Sequence, residues 1–201
     1  MLFTQDDDSA ASDAVMRAMF EARKRVFVDL LGWDLPVLAD RFEIDQYDGQ
    51  RARYLILADP NQNHLASARL LPTTGPHILG DLFPELCDAP APTSPQTWEI
   101  TRFCLDRSLR ARERRRWRDA LVTALTHYAL EHGITAYTGV AEQGWLEQVL
   151  AFGWHAELLG NPRAIDRMTL GALRIEITPG TPALLEANGI QAPAELEQEA
   201  A

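Results

Sequence analysis

The chain has 201 residues, of which 46% are hydrophobic and 24% charged, and its formal net charge is −10. These values predict a single globular domain over 1–201, with a core over about 12–178 and an acidic tail over about 179–201. The acidic balance argues against a general nucleic-acid binder, and no apolar run is long enough to cross a bilayer. An acidic first segment and only two cysteines favour a cytoplasmic protein.

Hydrophobic periodicity predicts, in chain order, a helix, antiparallel strands, a central strand, a helix, a strand, a helix and further strands. Residues 33–52 have no period and are interpreted as a long loop, and 73–96 form a second loop with room for a short helix. The element order predicts an α/β fold, in which a mixed, mostly antiparallel twisted sheet has helices on both faces. We expect helices over 12–31, 108–132 and 143–153 and strands over 52–59, 64–72, 98–106, 134–141, 154–160 and 167–177.

The first candidate site lies at the end of the first predicted helix. Arg23 and Phe27 are four residues apart and share one helix face, and Trp33 follows the helix end. Asp45 and Asp48 lie in the loop beyond. Carboxylates attract a positive centre, aromatic rings contact it through cation–π interactions, and a guanidinium binds a carboxylate with two hydrogen bonds. These residue types suit a zwitterionic, cationic ligand; the alternative is that the aromatic residues are core and the acids are solvated.

Two predicted strands carry charges at positions where apolar residues dominate. Arg69 lies within ASARLLP, and Glu99 and Arg102 lie within WEITRFCLD. Buried charges are costly unless they are paired, so we expect a compensating cluster. Residues three apart on a regular strand point to opposite faces, so we predict a β-bulge or strand break between residues 99 and 103. The expected cluster is Arg23, Asp45, Asp48, Arg69, Glu99 and Arg102.

One segment is strongly basic although the chain as a whole is acidic. DRSLRARERRRWRD places seven arginines within twelve positions. This arginine segment is a candidate surface for an anionic partner, and the alternative is a solvated helix face. Its arginines are Arg107, Arg110, Arg112, Arg114, Arg115, Arg116 and Arg118.

Other patterns of metal and catalytic sites are weak. His127 and His132 are five residues apart on a predicted helix, which does not make them adjacent ligands, so we expect no metal. The sequence has no GxGxxG or P-loop motif, and no Ser/His/Asp set stands out.

The charged and aromatic residues fall into a pattern that resembles the LuxI-type acyl-homoserine-lactone synthases, the autoinducer enzymes of bacterial quorum sensing. The blocks ASARLLPT, LGDLFP and WEITRF also match that family, and the resemblance runs from about residue 15 to residue 155. The chain departs from the pattern at Leu30, where the family often has a basic residue or Gln. The signature R-x-x-x-F, W, E-x-D-x-[FY]-D is carried by Arg23, Phe27, Trp33, Glu43, Asp45, Tyr47 and Asp48.

The resemblance implies a fold similar to GNAT acetyltransferases and an acyltransferase with S-adenosylmethionine as its amine substrate and no separate cofactor. The acyl donor is a thioester, usually on acyl carrier protein and in some relatives on coenzyme A; the arginine segment favours the acidic carrier protein. The amine attacks the thioester, and the methionine carboxylate then closes the lactone and releases methylthioadenosine.

The resemblance also implies roles for single residues. Glu99, Arg23 and Arg102 are expected to be catalytic. Because a carboxylate among arginines is a weak base, we favour a water-relayed or positioning role for Glu99. Backbone N–H groups at the strand break are expected to stabilise the thioester oxygen. The residues expected to bind S-adenosylmethionine are Phe27, Trp33, Asp45, Asp48, Arg69 and Phe103.

The acyl chain is expected to lie in an apolar tunnel in the C-terminal half, with Val140, Ala141 and Trp145 in its wall. We expect an unsubstituted or 3-hydroxy chain. Two rival functions stay open. A GNAT-like N-acyltransferase that acylates another amine from acyl-CoA is expected to have a glycine-containing phosphate loop, which is missing here. A non-catalytic binding homologue is expected to have lost a charged signature residue, and none is lost.

Overall fold

The computed structural model describes the backbone of residues 1–4 and 10–192 and the side chains of residues 1, 2 and 13–192. The chain is divided into two compact units. The organisation of 1–201 as one domain stays a prediction, and residues 193–201 of the predicted acidic tail lie outside the described residues. The first unit comprises Met1–Arg69, Arg102–Ala124 and the residues from Ala192 on, and the second comprises Leu70–Thr101 and Leu125–Gln191.

The main helices and strands of the described chain follow the predicted order, with short elements added between them. The helices are α1 (Ala10–Arg23), α2 (Ile78–Leu82), α3 (Ala111–Glu131), α4 (Gln143–Leu150) and α5 (Thr181–Ala187), with a π-helical turn at Lys24–Val28 and a 3₁₀ turn at Pro84–Leu86. The strands are β1 (Leu2–Thr4), β2 (Val37–Leu38), β3 (Phe42–Glu43), β4 (Arg53–Ala58), β5 (His64–Pro72), β6 (Thr97–Leu105), β7 (Ala136–Glu142), β8 (Ala156–Leu158), β9 (Arg163–Ile165) and β10 (Met168–Glu176).

In the first unit, β4 lies between β1 and β5, and β5 is followed by the last residues of β6. The pairing of β1 with β4 is antiparallel, with Leu2 opposite Leu57. At the start of β5, the carbonyl of Leu65 accepts a hydrogen bond from the N–H of Asp106 at 3.0 Å. Strand β4 is buried continuously from Tyr54 onward, which is typical of a strand covered on both faces.

In the second unit, the first residues of β6 run parallel to β7, with Glu99 opposite Thr138. Strand β10 is antiparallel to β7, β8 and β9. Thr73 near the end of β5 donates its N–H to the carbonyl of Thr97 at 3.2 Å. This mixed and mostly antiparallel pairing, together with the helices, confirms the predicted α/β class.

The structure adds short elements that the sequence pattern did not predict. Strands β1 and β9 have three residues each, and β2 and β3 form a two-residue hairpin inside the predicted long loop. Helix α5 occupies part of the predicted tail. Elements this short have too few residues to show a repeating hydrophobic pattern, and contacts with neighbouring elements determine their conformation instead. Across residues 10–192, the structure contains no helix with both the length and the apolar character needed to span a bilayer.

Candidate active site

Arg23 is the last residue of α1, and its guanidinium is fully buried. The helix places it there because Val15, Met19 and Ala22 form the buried face of α1 at spacings of three and four. Its Nε donates to Glu43 at 2.5 Å, and its two terminal nitrogens donate to the two oxygens of Asp48 at 2.8 Å each. A buried guanidinium with two carboxylate partners satisfies the pairing rule for interior charge.

A π-helical turn follows Arg23 directly and departs from the predicted continuous α-helix. The N–H of Asp29 donates to the carbonyl of Lys24 at 3.1 Å, which is an i to i+5 bond. Phe27 lies in this turn, and its ring stacks on Trp33 with 5.0 Å between centroids. Single π-helical turns inside helices occur frequently at functional sites. The predicted neighbours Arg23, Phe27 and Trp33 therefore lie on one irregular segment.

The carboxylates come from the loop after this turn. Glu43 ends β3 and is fully buried, and the N–H of Asp45 donates to Asp48 at 2.9 Å. The hydroxyl of Tyr54 donates to Asp48 at 2.7 Å. Burial alone would raise the pKa of Asp48, but the hydrogen bonds and charge of Arg23, together with the charge of Arg69, hold that pKa well below its usual range. Asp48 is therefore an anion at every physiological pH.

Arg69 and Arg102 complete the set of charges in the first unit. Arg69 donates to both oxygens of Asp45, at 2.6 and 3.1 Å, and its Nη1 lies 2.8 Å from Asp48. Arg102 donates to Asp45 at 2.7 Å and to Glu43 at 3.1 Å. Its guanidinium also lies 5.6 Å from the centre of the Phe27 ring. Both arginines were predicted members of this site.

These six groups form a closed ring in which positive and negative charges alternate, and we call it the charge ring. Three guanidiniums balance three carboxylates. Glu43, Asp45 and Asp48 lie close enough together to hold a cation, but such an ion would have to displace an arginine from each. In order around the ring, the members are Arg23, Glu43, Arg102, Asp45, Arg69, Asp48 and again Arg23.

Strand β6 has the predicted irregularity at Arg102. Burial alternates regularly from Thr97 to Thr101, but Arg102 and Phe103 are then both half-buried, so the alternation shifts by one residue. Arg102 has a φ of +49°, which is rare for a residue with a side chain. From Leu65 on β5 to Thr73, the residue after its end, there are eight steps, and from Thr97 on β6 to Asp106, the residue after its end, there are nine. An extra residue on one strand is a β-bulge.

Glu99 belongs to the second unit, in which its side chain is fully buried. Its two oxygens accept the backbone N–H groups of Ile78 and Leu79, each at 2.7 Å. These two donors begin α2. The sequence did not indicate this contact, and the shared site of Glu99 with the charge ring stays a prediction.

The arginine segment divides into two groups. Arg114 donates to the carbonyl of Asp106 at 3.2 Å, and Arg118 donates to Asp119 at 2.6 Å, so both are held within the fold. The carboxylate of Asp106 accepts a bond from Arg25 at 3.0 Å, which ties the start of the segment to the π-helical turn. The exposed members, on the first turns of α3 and just before it, are Arg107, Arg110, Arg112, Arg115 and Arg116.

The predicted acyl-binding residues lie in the second unit on β7 and α4. Val140 packs against a cluster of apolar side chains, Ala141 is buried beside it on β7, and Trp145 packs edge-on against Phe152 with 5.8 Å between centroids. Only part of this cluster is buried completely. We call it the apolar cluster; its buried members are Leu79, Leu86, Leu170 and Ala172, and its half-buried members are Phe83, Cys87, Ala91, Val140, Leu159, Ile165 and Met168.

Both cysteines are unpaired and lie in these two regions. Cys104 packs with Ala22, Val26 and Phe27 beneath the π-helical turn, and burial raises the pKa of its thiol to about 12. Cys87 lies in the apolar cluster, and burial, aided by the neighbouring charge of Asp88, raises its pKa as well.

Sequence reasoning did not select Glu43 and Tyr54 as site residues. Glu43 bridges Arg23 and Arg102, and Tyr54 donates to Asp48 from β4. Glu43 is part of the quoted signature, and this position was the sequence evidence that could have identified it as a site residue. Tyr54 had no such signal, because an aromatic residue in a buried strand is ordinarily core.

Comparisons with known proteins bear on this arrangement. A family model described as autoinducer synthase matches residues 7–180. An acyl-homoserine-lactone synthase from Ralstonia nicotianae is 34% identical over 179 residues, which cover 86% of this chain and 87% of that protein.

Solved structures of this family are also similar to this chain. TofI, solved in a ternary complex with an inhibitor and MTA, matches with a TM-score of 0.76 and 31% identity over 92% of this chain and 96% of that chain. The CoA-dependent acyl-homoserine lactone synthase MesI matches with a TM-score of 0.82 and 26% identity over 96% of each chain. A putative N-acetyltransferase from Lactobacillus plantarum shares the fold alone, at 17% identity and a TM-score of 0.60 over 89% of this chain and 98% of that chain.

Proposed function

The chain belongs to the autoinducer synthase family, and on this premise we propose how its residues divide the work of making the signal. The enzyme is an acyl-homoserine-lactone synthase and uses no separate cofactor. Its amine substrate is S-adenosylmethionine. The amine nitrogen attacks the thioester carbon and the thiol leaves; the methionine carboxylate then attacks its own γ-carbon, the carbon–sulfur bond breaks, and methylthioadenosine departs with the lactone closed.

The charge ring is the observation that carries the assignment of residues. It contains every charged signature residue of the first unit, and its members are almost completely buried. Arg102 is the most exposed guanidinium of the ring, with 8% of its side chain accessible, and its partner Asp45 has 4%. The methionine group therefore binds at this pair, with its carboxylate at Arg102 and its positive centre towards Asp45 and the rings of Phe27 and Trp33.

The remaining members of the ring act through position. Arg23, Arg69 and Asp48 hold Asp45 and Glu43 in place, and lactonisation requires a methionine chain that is folded back on itself. Phe103 follows the bulge and lies beside Arg102 on β6. Backbone N–H groups at the bulge are the proposed donors to the thioester oxygen, which gains negative charge during attack.

Glu99 keeps two proposed roles in the acyl transfer. As a base, directly or through a water, it takes the proton that the attacking amine loses. As a positioning residue, it acts through the elements it holds. A base role predicts that the acidic limb of the kcat/KM profile disappears in Glu99→Gln, and a positioning role predicts that the limb stays.

The acyl donor is carried by acyl carrier protein, and the exposed arginines form its docking surface. Five exposed guanidiniums on one short segment suit an acidic protein. Coenzyme A is the second candidate, because MesI is CoA-dependent. Both donors bring a phosphate to the same cationic surface. The acyl chain itself lies against the apolar cluster. The two unpaired cysteines fit a reducing compartment such as the cytoplasm.

The function is tested by expression in a bacterium that has no autoinducer of its own, with mass spectrometry of the extracted medium. We expect a homoserine-lactone ion that the empty vector lacks, and its absence would count against the whole assignment. The purified Asp45→Asn variant should lose most binding of S-adenosylmethionine, because Arg69 and Arg102 both lose a charged partner. Asp34→Asn, at an exposed position of the same loop, is the matched control and should bind normally.

The donor is tested with acyl carrier protein and acyl-CoA that bear the same acyl group. Replacement of Arg112, Arg115 and Arg116 by Gln should raise the KM for the acyl carrier protein donor about tenfold, because each surface charge pair contributes only modestly. The matched control replaces three exposed arginines elsewhere and should leave that KM unchanged. A wild-type enzyme that turns over only acyl-CoA would refute the carrier-protein assignment. The control arginines are Arg51, Arg163 and Arg167.

A further inference from the structure

Helix α2 depends on a side chain from a distant part of the chain. It has only five residues, and its N-cap residue, His77, makes no side-chain capping bond. The first N–H groups of a helix have no partners within the helix, and a helix this short is marginal by itself. Glu99 supplies two of the missing acceptors, since its Oε2 and Oε1 receive the N–H groups of Ile78 and Leu79 at 2.7 Å.

Leu79 connects this contact to the apolar cluster. Its side chain is fully buried and belongs to the cluster together with Leu170 on β10, and Val140 packs against the same group. Phe83, directly after α2, is one of the half-buried members. The carboxylate of Glu99 therefore fixes a backbone segment whose next side chains form one wall of the surface proposed for the acyl chain.

The ring of His77 packs closely against the backbone of α2 at Gly80. A Cβ added to Gly80 would come within 2.6 Å of the His77 ring. That ring is buried, and its Nδ1 lies 2.8 Å from the carbonyl of Gly75. A change at Glu99 therefore either leaves the N–H groups of Ile78 and Leu79 without acceptors or moves α2, and a movement of α2 displaces Leu79.

We propose that Glu99 is a positioning residue that sets which acyl chains the enzyme accepts, because its carboxylate holds α2 and Leu79 against the apolar cluster. The ligand concerned is the fatty acyl chain of the thioester donor. This inference rests on the proposed function of the apolar cluster as the acyl-binding surface. It assigns to Glu99 an effect on the selection of acyl chains, and the loss of a general base would not produce that effect.

The test uses Glu99→Gln with a series of donors from short to long acyl chains. Gln retains the size of the side chain but offers only one acceptor oxygen, so one N–H of α2 loses its partner. We expect the KM for the preferred donor to rise about tenfold and the ranking of chain lengths to change. The KM for S-adenosylmethionine and the acidic limb of the pH profile should stay as in the wild type. Glu99→Asp keeps the charge but has one methylene less, and it should give a partial effect.

Leu79→Ala provides a second arm, since it shortens a side chain of the wall but retains the backbone N–H that donates to Glu99. It should change the chain-length ranking in the same sense, and the double variant should show less than the sum of the two single effects. The inference is overturned if Leu79→Ala retains the wild-type ranking, or if Glu99→Gln lowers kcat equally for all chains with an unchanged donor KM. Absence of lactone from the wild-type enzyme would instead refute the proposed function.

Discussion

Glu43→Gln is the substitution that tests the charge ring most directly. The change keeps the size of the side chain and removes one buried negative charge. In the native protein this carboxylate accepts from Arg23 at 2.5 Å and from Arg102 at 3.1 Å, and none of it is exposed. In the variant, three buried guanidiniums face only two carboxylates. We expect a large loss of free energy of unfolding, and weaker binding of S-adenosylmethionine because Arg102 is no longer held.

The size of this loss follows from the contacts that remain. Removal of one partner from a buried ion pair costs about 3–5 kcal/mol. Arg23 keeps its ion pair with Asp48, and Arg102 keeps its ion pair with Asp45. We therefore expect a loss at the lower end of this range, about 3 kcal/mol. The matched control is Glu21→Gln, which removes a partly exposed carboxylate that pairs with Arg41 at 2.6 Å and with Arg25 at 3.8 Å. An exposed pair of this kind contributes at most about 1 kcal/mol.

The assay is urea unfolding of both variants and the wild type at neutral pH, followed by tryptophan fluorescence. Equal m-values are required before the free energies are compared. We expect a difference of about 2 kcal/mol between the two variants. The argument for a tightly coupled ring is refuted if Glu43→Gln loses no more stability than Glu21→Gln.

Two further predictions concern pH and substrate binding. Burial lowers the pKa of His64 from 6.5 to about 4; the charge of Arg25 adds to this shift and the charge of Asp106 opposes it. The neutral imidazole therefore stabilises the fold fully above pH 6.5. Between pH 7.5 and pH 5 the free energy of unfolding should fall by about 2 kcal/mol. His64→Gln should flatten this slope in urea titrations at both pH values, whereas His127→Gln, at an exposed site, should leave it unchanged. Trp33→Ala removes the ring stacked on Phe27 and should weaken binding of S-adenosylmethionine in calorimetry about tenfold; unchanged affinity would remove Trp33 from the site.

The sequence predicted the charges of the site better than their partners. Arg69 and Arg102 were selected because a charge within an apolar strand requires compensation, and both are in the ring. The bulge was predicted because Glu99 and Arg102, three residues apart on one strand, were expected to face the same site, which a regular strand does not allow. Glu43 was quoted in the signature but not selected, and its complete burial between Arg23 and Arg102 is visible only in the tertiary structure.

Features that depend on long-range contacts were out of reach. The π-helical turn at Lys24–Val28 differs from an α-helix by one residue per turn, which an apolar period over so short a segment does not reveal. The acceptors of α2 come from Glu99, 20 and 21 residues further along the chain. No local pattern connects positions that far apart, so the capping of α2 was not predicted.

The raised pKa values of Cys104 and Cys87 have a consequence for an enzyme that handles thioesters. A thiol attacks a thioester only as its thiolate, and burial keeps both groups protonated at neutral pH. An acyl group delivered to this protein therefore meets no competing sulfur nucleophile from its own chain. We therefore expect the amine, rather than a cysteine of the enzyme, to accept the acyl group.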